Sequence, residues 1–275
     1  MQSIEANSRG IKGINGYQLK LLGAALMVLD HIHQMFYWAA DLTWMNMLGR
    51  SVMPMFLFMC AEGFYYTRSR RNYAIRLLIG FWFMSVASTL IMRFLPIDEP
   101  QIILMNNVFG AMFVSVLAMW GIEKLKNKEF VKGIIILILP ILPIFLFNAL
   151  FNANQIGLGA VLQLAVPSYM GMEGGFPMIL LAVWFYLFRG KRLWQYLGII
   201  VLAISTIFIG GDAITLTSIF TSNIEWMLAF SIIPLHFYNG QRGKGSKYFF
   251  YIFYPAHIYA LYILAFIVLN NGIMK

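Results

Sequence analysis

The sequence predicts an all-α fold, a polytopic bundle of nine to ten transmembrane helices with a cytosolic N-terminus. Three observations predict it. Hydrophobic residues are 60% of the 275 and charged residues 11%, against about 45–50% and about 25% in a soluble domain. The apolar residues fall in runs of about 20, the length that crosses about 30 Å of hydrocarbon. Basic residues gather on alternate breaks between those runs. No polar stretch is long enough to fold alone, so residues 1–275 are expected to form one integral membrane domain.

The first run, 18–38, follows a segment carrying Arg9 and Lys12. It lacks a small-residue cleavage signal, which predicts a retained helix and not a removed signal peptide. Further spans are expected at 51–67, 73–94, 102–122, 131–151, 174–189, 193–210, 224–239 and 248–270. All are read as helices, because irregular backbone facing lipid would leave polar groups unsatisfied. Polar and Gly/Pro-containing breaks separate them. Residues 152–172 are apolar but interrupted by Asn152, Asn154, Gly157, Gly159, Gln163 and Pro167. They form either a tenth helix or a re-entrant piece.

Charge arbitrates. With nine crossings, 17 of the 20 basic residues lie on the inner side. Arg50, Arg93 and Lys275 then lie outside, with Asp41, Asp98, Glu99, Glu173, Asp212 and Glu225. A tenth crossing would send Arg189, Lys191 and Arg192 outward, so the positive-inside rule favours nine. The net charge of +9 is then an inner-face excess. It suits a lipid bilayer with anionic headgroups or an anionic cytosolic ligand and requires no nucleic acid. Cys60 is the sole cysteine, which leaves no disulfide framework and no cysteine-based metal site.

Ionisable groups inside spans are costly and each needs a reason. The first span ends in Leu29-Asp30-His31-Ile32-His33-Gln34. Lys20 and His31 are 11 residues apart, about 16 Å of rise, which carries Asp30 and His31 past the midplane. One reading is an Asp–His pair that holds helices together. The other is a histidine general base with a carboxylate neighbour, since imidazole titrates near neutrality. Adjacent helix positions do not face one another, so Asp30 is expected to act on His31 through its charge. Arg50 opens the second span at the outer rim, as an anchor or a charge near that base. Glu62 is expected to pair with an arginine of the following loop or to line a polar cavity. Asn106 and Asn107 lie near the outer end of the fourth span, where interhelical hydrogen bonding is their common use. His257, in Phe253-Tyr254-Pro255-Ala256-His257, sits near the middle of the last span, as a structural or a functional group. His31 and His33 are i,i+2 and diverge, whereas helical zinc pairs are i,i+4, so no metal is expected.

At these residues the chain resembles the TraX family, known for the F-pilin acetylase. The likeness runs through Leu26-Met27-Val28-Leu29-Asp30-His31-Ile32, Gly49-Arg50 to Phe56, the Glu62 region, Asn106 and Asn107. It resumes at Glu173-Gly174-Gly175-Phe176 and ends in Phe253-Tyr254-Pro255-Ala256-His257. A more distant likeness is to the acyltransferase-3 group, whose first helix carries a basic residue and a histidine at Arg-x10-His. The same spacing here reads Lys20-x10-His31, and lysine lacks the bidentate fork of arginine.

The resemblance implies an acetyl-CoA-dependent transmembrane acyltransferase of a bacterial cytoplasmic membrane. It would move acetyl from cytosolic acetyl-CoA to an amine or hydroxyl of a peptide, protein or glycan acceptor. His31 would be the base, with Asp30, Arg50 and His257 beside it. Lys20, Glu62, Arg68, Arg70, Arg71, Asn106, Asn107 and Glu173 would bind substrate, the basic ones meeting the donor's phosphates. The absence of a placed Ser or Cys nucleophile favours direct transfer. The alternative is a proton-coupled small-solute transporter using Asp30, His31, Glu62 and His257 as a relay. The lack of an internal repeat and the off-centre polar cluster count against it. A structural assembly subunit is a third reading.

Overall fold

The computed structural model describes residues 13–209, 214–245 and 248–271. Arg9, Lys12, Asp212, Lys247, Lys275 and the cytosolic placement of the N-terminus fall outside the described residues. The regular structure of the described residues is helical, apart from one isolated backbone bridge between Ile14 and Tyr238. Helix α1 spans Gly16–Phe36. It begins where Asn15 Oδ1 accepts from the Tyr17 and Gln18 amides while Gln18 Oε1 accepts from the Asn15 amide. That reciprocal cap satisfies amides that the first turn leaves without partners. The Gly16 amide also donates to Gln241 O at 2.7 Å, fastening the start of α1 to the segment before the last helix.

After α1 come a short α2 (Thr43–Gly49), α3 (Val52–Tyr66), α4 (Arg70–Phe94) and α5 (Val108–Lys126). The core lies among α1, α3, α4, α5, α9 (Gly175–Leu187) and α13 (Phe249–Asn270). Helix α5 is its axis, with Ala111, Val114, Val116 and Met119 fully buried. Helices α1, α4 and α13 begin at one end of the bundle, which carries Lys20, Arg76 and Arg242 and is called the basic end below.

Several expected spans take a different form. The fourth, 102–122, becomes helical only at Val108, and residues 101–107 form an irregular strap. Asn106 and Asn107 therefore precede the helix and do not lie within it. The fifth, 131–151, is split into α6 (Phe130–Ile138) and α7 (Leu142–Asn152). Pro140 stands between them; proline has no amide hydrogen and clashes with the preceding turn. Residues 152–172 yield only α8 (Ile156–Ala165), ten residues, about 15 Å and half of a hydrocarbon core. Helix α8 folds back on α7, and Trp82 Nε1 of α4 donates to Ala165 O at 2.7 Å. The eighth span is a 3-10 segment, Glu225–Ser231, continued by α12 (Ile232–Phe237). Helix α10 is Arg192–Ile209 and α11 is Leu216–Thr221.

Among the described residues, five helices are long and apolar enough to cross a membrane: α4, α5, α6–α7 taken together, α10 and α13; the expected nine to ten spans are not confirmed. Helix α1 has 21 residues, long enough to cross, but spends four of them on Lys20, Asp30, His31 and His33. Large apolar side chains point outward from the lipid-length helices, Phe83, Phe94, Phe145 and Phe208 among them. In water such a surface would be unfavourable over so wide an area; against lipid it is matched.

Candidate functional site

The site lies where α1, the 101–107 strap and α13 meet. His31 is 1% exposed, and its Nδ1 lies 2.7 Å from His257 Nε2. His257 Nδ1 lies 2.8 Å from Phe253 O, one turn back on the same helix. These two contacts fix the protons of a neutral pair. A carbonyl can only accept, so His257 Nδ1 carries the hydrogen and His257 Nε2 has the lone pair. His31 Nδ1 must then donate, which leaves the lone pair of His31 on Nε2. Facing that nitrogen is Asn106 Nδ2, at 3.3 Å. The Asn106 orientation agrees, because its Oδ1 accepts from Gln34 Nε2 at 2.9 Å. One directed run of hydrogen bonds therefore passes from Gln34 through Asn106, His31 and His257 to Phe253 O. Of its two unprotonated ring nitrogens, His31 Nε2 is the one not engaged by the other histidine.

Asp30 does not orient His31. Its Oδ1 lies 2.8 Å from Arg50 Nη2, while Arg50 Nη1 lies 2.7 Å from Glu225 Oε1. Asp30 is thus engaged by Arg50. Its placement depends on Gly49, since a Cβ there would overlap the Asp30 carboxylate. Helix α2 can thus lie directly on α1 and present Arg50 to it. Glu173 Oε2 accepts from the Asn107 amide at 3.2 Å and from the Tyr254 hydroxyl at 3.3 Å. The turn that carries Glu173 ends at Gly174, whose φ of 74° is a left-handed conformation open to glycine.

Two cavities meet here. The first, about 600 Å³, is lined by Asp30, His31, Arg50, Glu173, Glu225 and Tyr254 among others. The second, about 690 Å³, runs from Lys20 past Phe250, Tyr251, Tyr73 and Met59. They share Met27, Phe56, Val108 and Tyr254 as walls. An apolar passage thus leads from the basic end toward the histidines. His257 is eight residues into α13, about 12 Å from its start. His31, 15 residues into α1, meets His257 there.

The other expected site residues divide. Lys20 lines the passage, its Nζ 5.6 Å from the Phe250 ring centroid. Asn107 anchors α4 through Phe81 O and Ser85 Oγ and offers the cavity its backbone amide only indirectly, through Glu173. Glu62 lies outside both cavities. Its carboxylate pairs with Arg189 Nε at 2.9 Å, and Arg189 is also stacked on Tyr65 at 3.7 Å. The partner comes from the α9–α10 turn, not from the loop that follows α3. Arg70 is likewise occupied: it grips both oxygens of Glu123 at 2.8 and 3.2 Å and donates to Thr67 O. Arg68 and Arg71 are exposed beside it and line neither cavity. Gln34, Glu225 and Tyr254 are site residues that sequence reasoning passed over. Tyr254 lies inside a motif that reasoning had quoted; Gln34 is a turn beyond Asp30.

Comparison with known proteins finds a match to the model described as TraX protein over residues 15–265. The chain is also similar to the "Probable fimbrial assembly protein FimC, serogroup H1" of Dichelobacter nodosus. The two are 25% identical over 260 residues, covering 89% of this chain and 93% of that one. No solved structure matches it.

Proposed function

This chain belongs to the TraX family, and on that premise we propose that it is a membrane acyltransferase of the bacterial cytoplasmic membrane, crossing it nine times. It moves acetyl from cytosolic acetyl-CoA to an amine or hydroxyl of a membrane-associated or extracytoplasmic acceptor. The similarity to a protein named for fimbrial assembly makes a pilin-like peptide N-terminus a reasonable acceptor. The observation that carries the reading is the buried His31 ring, held by His257 through Nδ1 and set in the wall of the cavity that Arg50, Glu173 and Glu225 also line.

In the proposed reaction the donor arrives at the basic end, with its acyl arm in the apolar passage. The acceptor occupies the cavity beside Arg50, Glu173 and Glu225. His31 Nε2 takes the acceptor's proton as its nitrogen or oxygen attacks the thioester carbon. Asn106 Nδ2, next to that nitrogen, is placed to donate to the oxyanion, the kind of preorganised stabilisation that lowers such barriers most. Collapse breaks the C–S bond, and His31 returns the proton to the leaving thiolate. His257 keeps the His31 ring in the required tautomer, an orienting role like that of second partners elsewhere. Burial keeps water out of the thioester's path.

The test is acetyl transfer by the purified protein in nanodiscs, with acetyl-CoA and a short peptide bearing a free N-terminus. Acetylated peptide and free CoA in equal amounts support the reading. Proton-coupled solute uptake by the same protein in liposomes, without any acetyl transfer, would favour the transporter instead.

A further inference from the structure

Most cations of this bundle that approach its core are neutralised by carboxylates. Arg50 has Asp30 and Glu225, Arg70 has Glu123, Arg189 has Glu62, and Lys124 and Lys132 share Glu129. Three near the Lys20 end of the apolar passage are not. Lys20 lines the passage, and Arg242 is exposed on the loop beside it. The Arg242 carbonyl accepts from the Tyr17 amide at 3.0 Å, which pins this loop against the first turn of α1. Beside the passage, the Arg76 guanidinium lies 5.8 Å from the centroid of the Tyr73 ring, which with Tyr251 lines the passage. Its Nε is buried and has no hydrogen-bond partner. No carboxylate lines this cavity, and no described ion pair includes any of the three.

Like charges gathered at one end of a bundle raise each other's energy unless an anion lies between them. A buried guanidinium nitrogen without an acceptor is costly for the same reason. A guanidinium fork beside an apolar entrance that carries a lysine suits an anion with several oxygens. From these observations we infer that Lys20, Arg76 and Arg242 form a binding site for a diphosphate or phosphate-ester group at the passage mouth. The site replaces the expected Arg70–Arg71 patch, whose first member is occupied by Glu123. Identifying the group as the donor's diphosphate rests on the acyltransferase reading; the anion site itself does not. A phospholipid headgroup offers the same chemistry, and the test separates the two sources.

The experiment measures binding of free coenzyme A, by calorimetry, to the whole protein in phosphatidylcholine nanodiscs. Thermal unfolding in phosphatidylglycerol nanodiscs is measured beside it. Arg76→Gln and Arg242→Gln are compared with Lys128→Gln, a cation outside the mouth. The inference expects coenzyme A binding that weakens with added salt. It expects about tenfold weaker binding in each mouth variant, the size of one lost charge-assisted contact, and no change in Lys128→Gln. If the anion is a lipid headgroup, coenzyme A does not bind, and phosphatidylglycerol raises the unfolding temperature of wild type but not of Arg76→Gln. Either result upholds the anion site. Indifference of both ligands to Arg76 and Arg242 overturns it. Acetyl transfer is scored separately in the same preparation, so an active enzyme with an indifferent mouth sinks this inference alone.

Discussion

The polar side chains at the middle of the bundle and those at its basic end are treated in opposite ways. In the middle, Gln34, Asn106, His31, His257 and Phe253 O form one directed run in which each donor meets an acceptor. At the basic end, Lys20, Arg76 and Arg242 share a mouth without a carboxylate among them. A satisfied network holds one geometry and resists rearrangement, which is what a proton-transfer site requires. Unpaired charges hold no geometry of their own and gain partners only from a ligand. The difference separates a place built for chemistry from a place built for capture.

Variants can break that contrast. The largest effect is expected at His31. His31→Ala should lower acetyl turnover by about 10²–10⁴-fold, the usual cost of removing a general base. Coenzyme A binding should survive, because its charged part lies a helical stretch away; stopped turnover with lost binding would merge the two regions. His257→Phe keeps the ring volume and removes the acceptor for His31 Nδ1. Turnover should fall by roughly 10–100-fold, as for orienting partners elsewhere. If His257→Phe loses turnover while His31→Ala keeps it, the base is on the last helix and the assignment to His31 is wrong.

Stability variants sharpen the contrast further. Arg50→Ala leaves the Asp30 and Glu225 carboxylates without their shared cation. It should cost about 1–3 kcal/mol, read as a lower detergent-unfolding midpoint. Glu62→Gln weakens the Arg189 pair outside both cavities. It should reduce stability modestly and leave the Michaelis constant for the donor unchanged; a raised constant would return Glu62 to the binding site. The smallest effect is at Glu129, in the exposed turn before α6. Hydrogen bonds from Lys124 and Lys132 lower its carboxyl to about 2. A lowered folded value stabilises above the unfolded value, near 4.5, and the benefit is lost as pH falls toward about 2. Glu129→Gln should therefore differ slightly from wild type at neutral pH and match it in strong acid.

The sequence made the helical class and the membrane-length segments legible, because apolar runs of this length have few other uses. It also singled out His31, His257, Arg50 and Asp30, since charged groups inside such runs stand out. It did not reveal that His257 backs His31: the two are 226 residues apart, and no local spacing encodes that contact. Nor did it reveal that Arg70, one of the expected anion binders, is paired with Glu123. Positive-inside bias marks an entire face, while Glu123, on another helix, decides which cation is occupied. The late start of α5 at Val108 was hidden by the apolar Ile102-Ile103-Leu104-Met105, which reads as helix although its backbone forms the strap. Pro140, by contrast, was visible as a breaker within the 131–151 run.

The account turns on where one proton sits, and nitrogen NMR reads this directly. The measurement uses ¹⁵N-histidine-labelled protein in nanodiscs at neutral pH, with His31→Gln and His257→Gln spectra to assign the rings. The hydrogen-bond run predicts that His31 and His257 are both neutral and both carry hydrogen on Nδ1, each fixed by the partner that nitrogen meets. His31 Nε2 then shows the shift of an unprotonated ring nitrogen. A His31 ring that carries its hydrogen on Nε2 would contradict the account, because that nitrogen could not accept the proton of the attacking group.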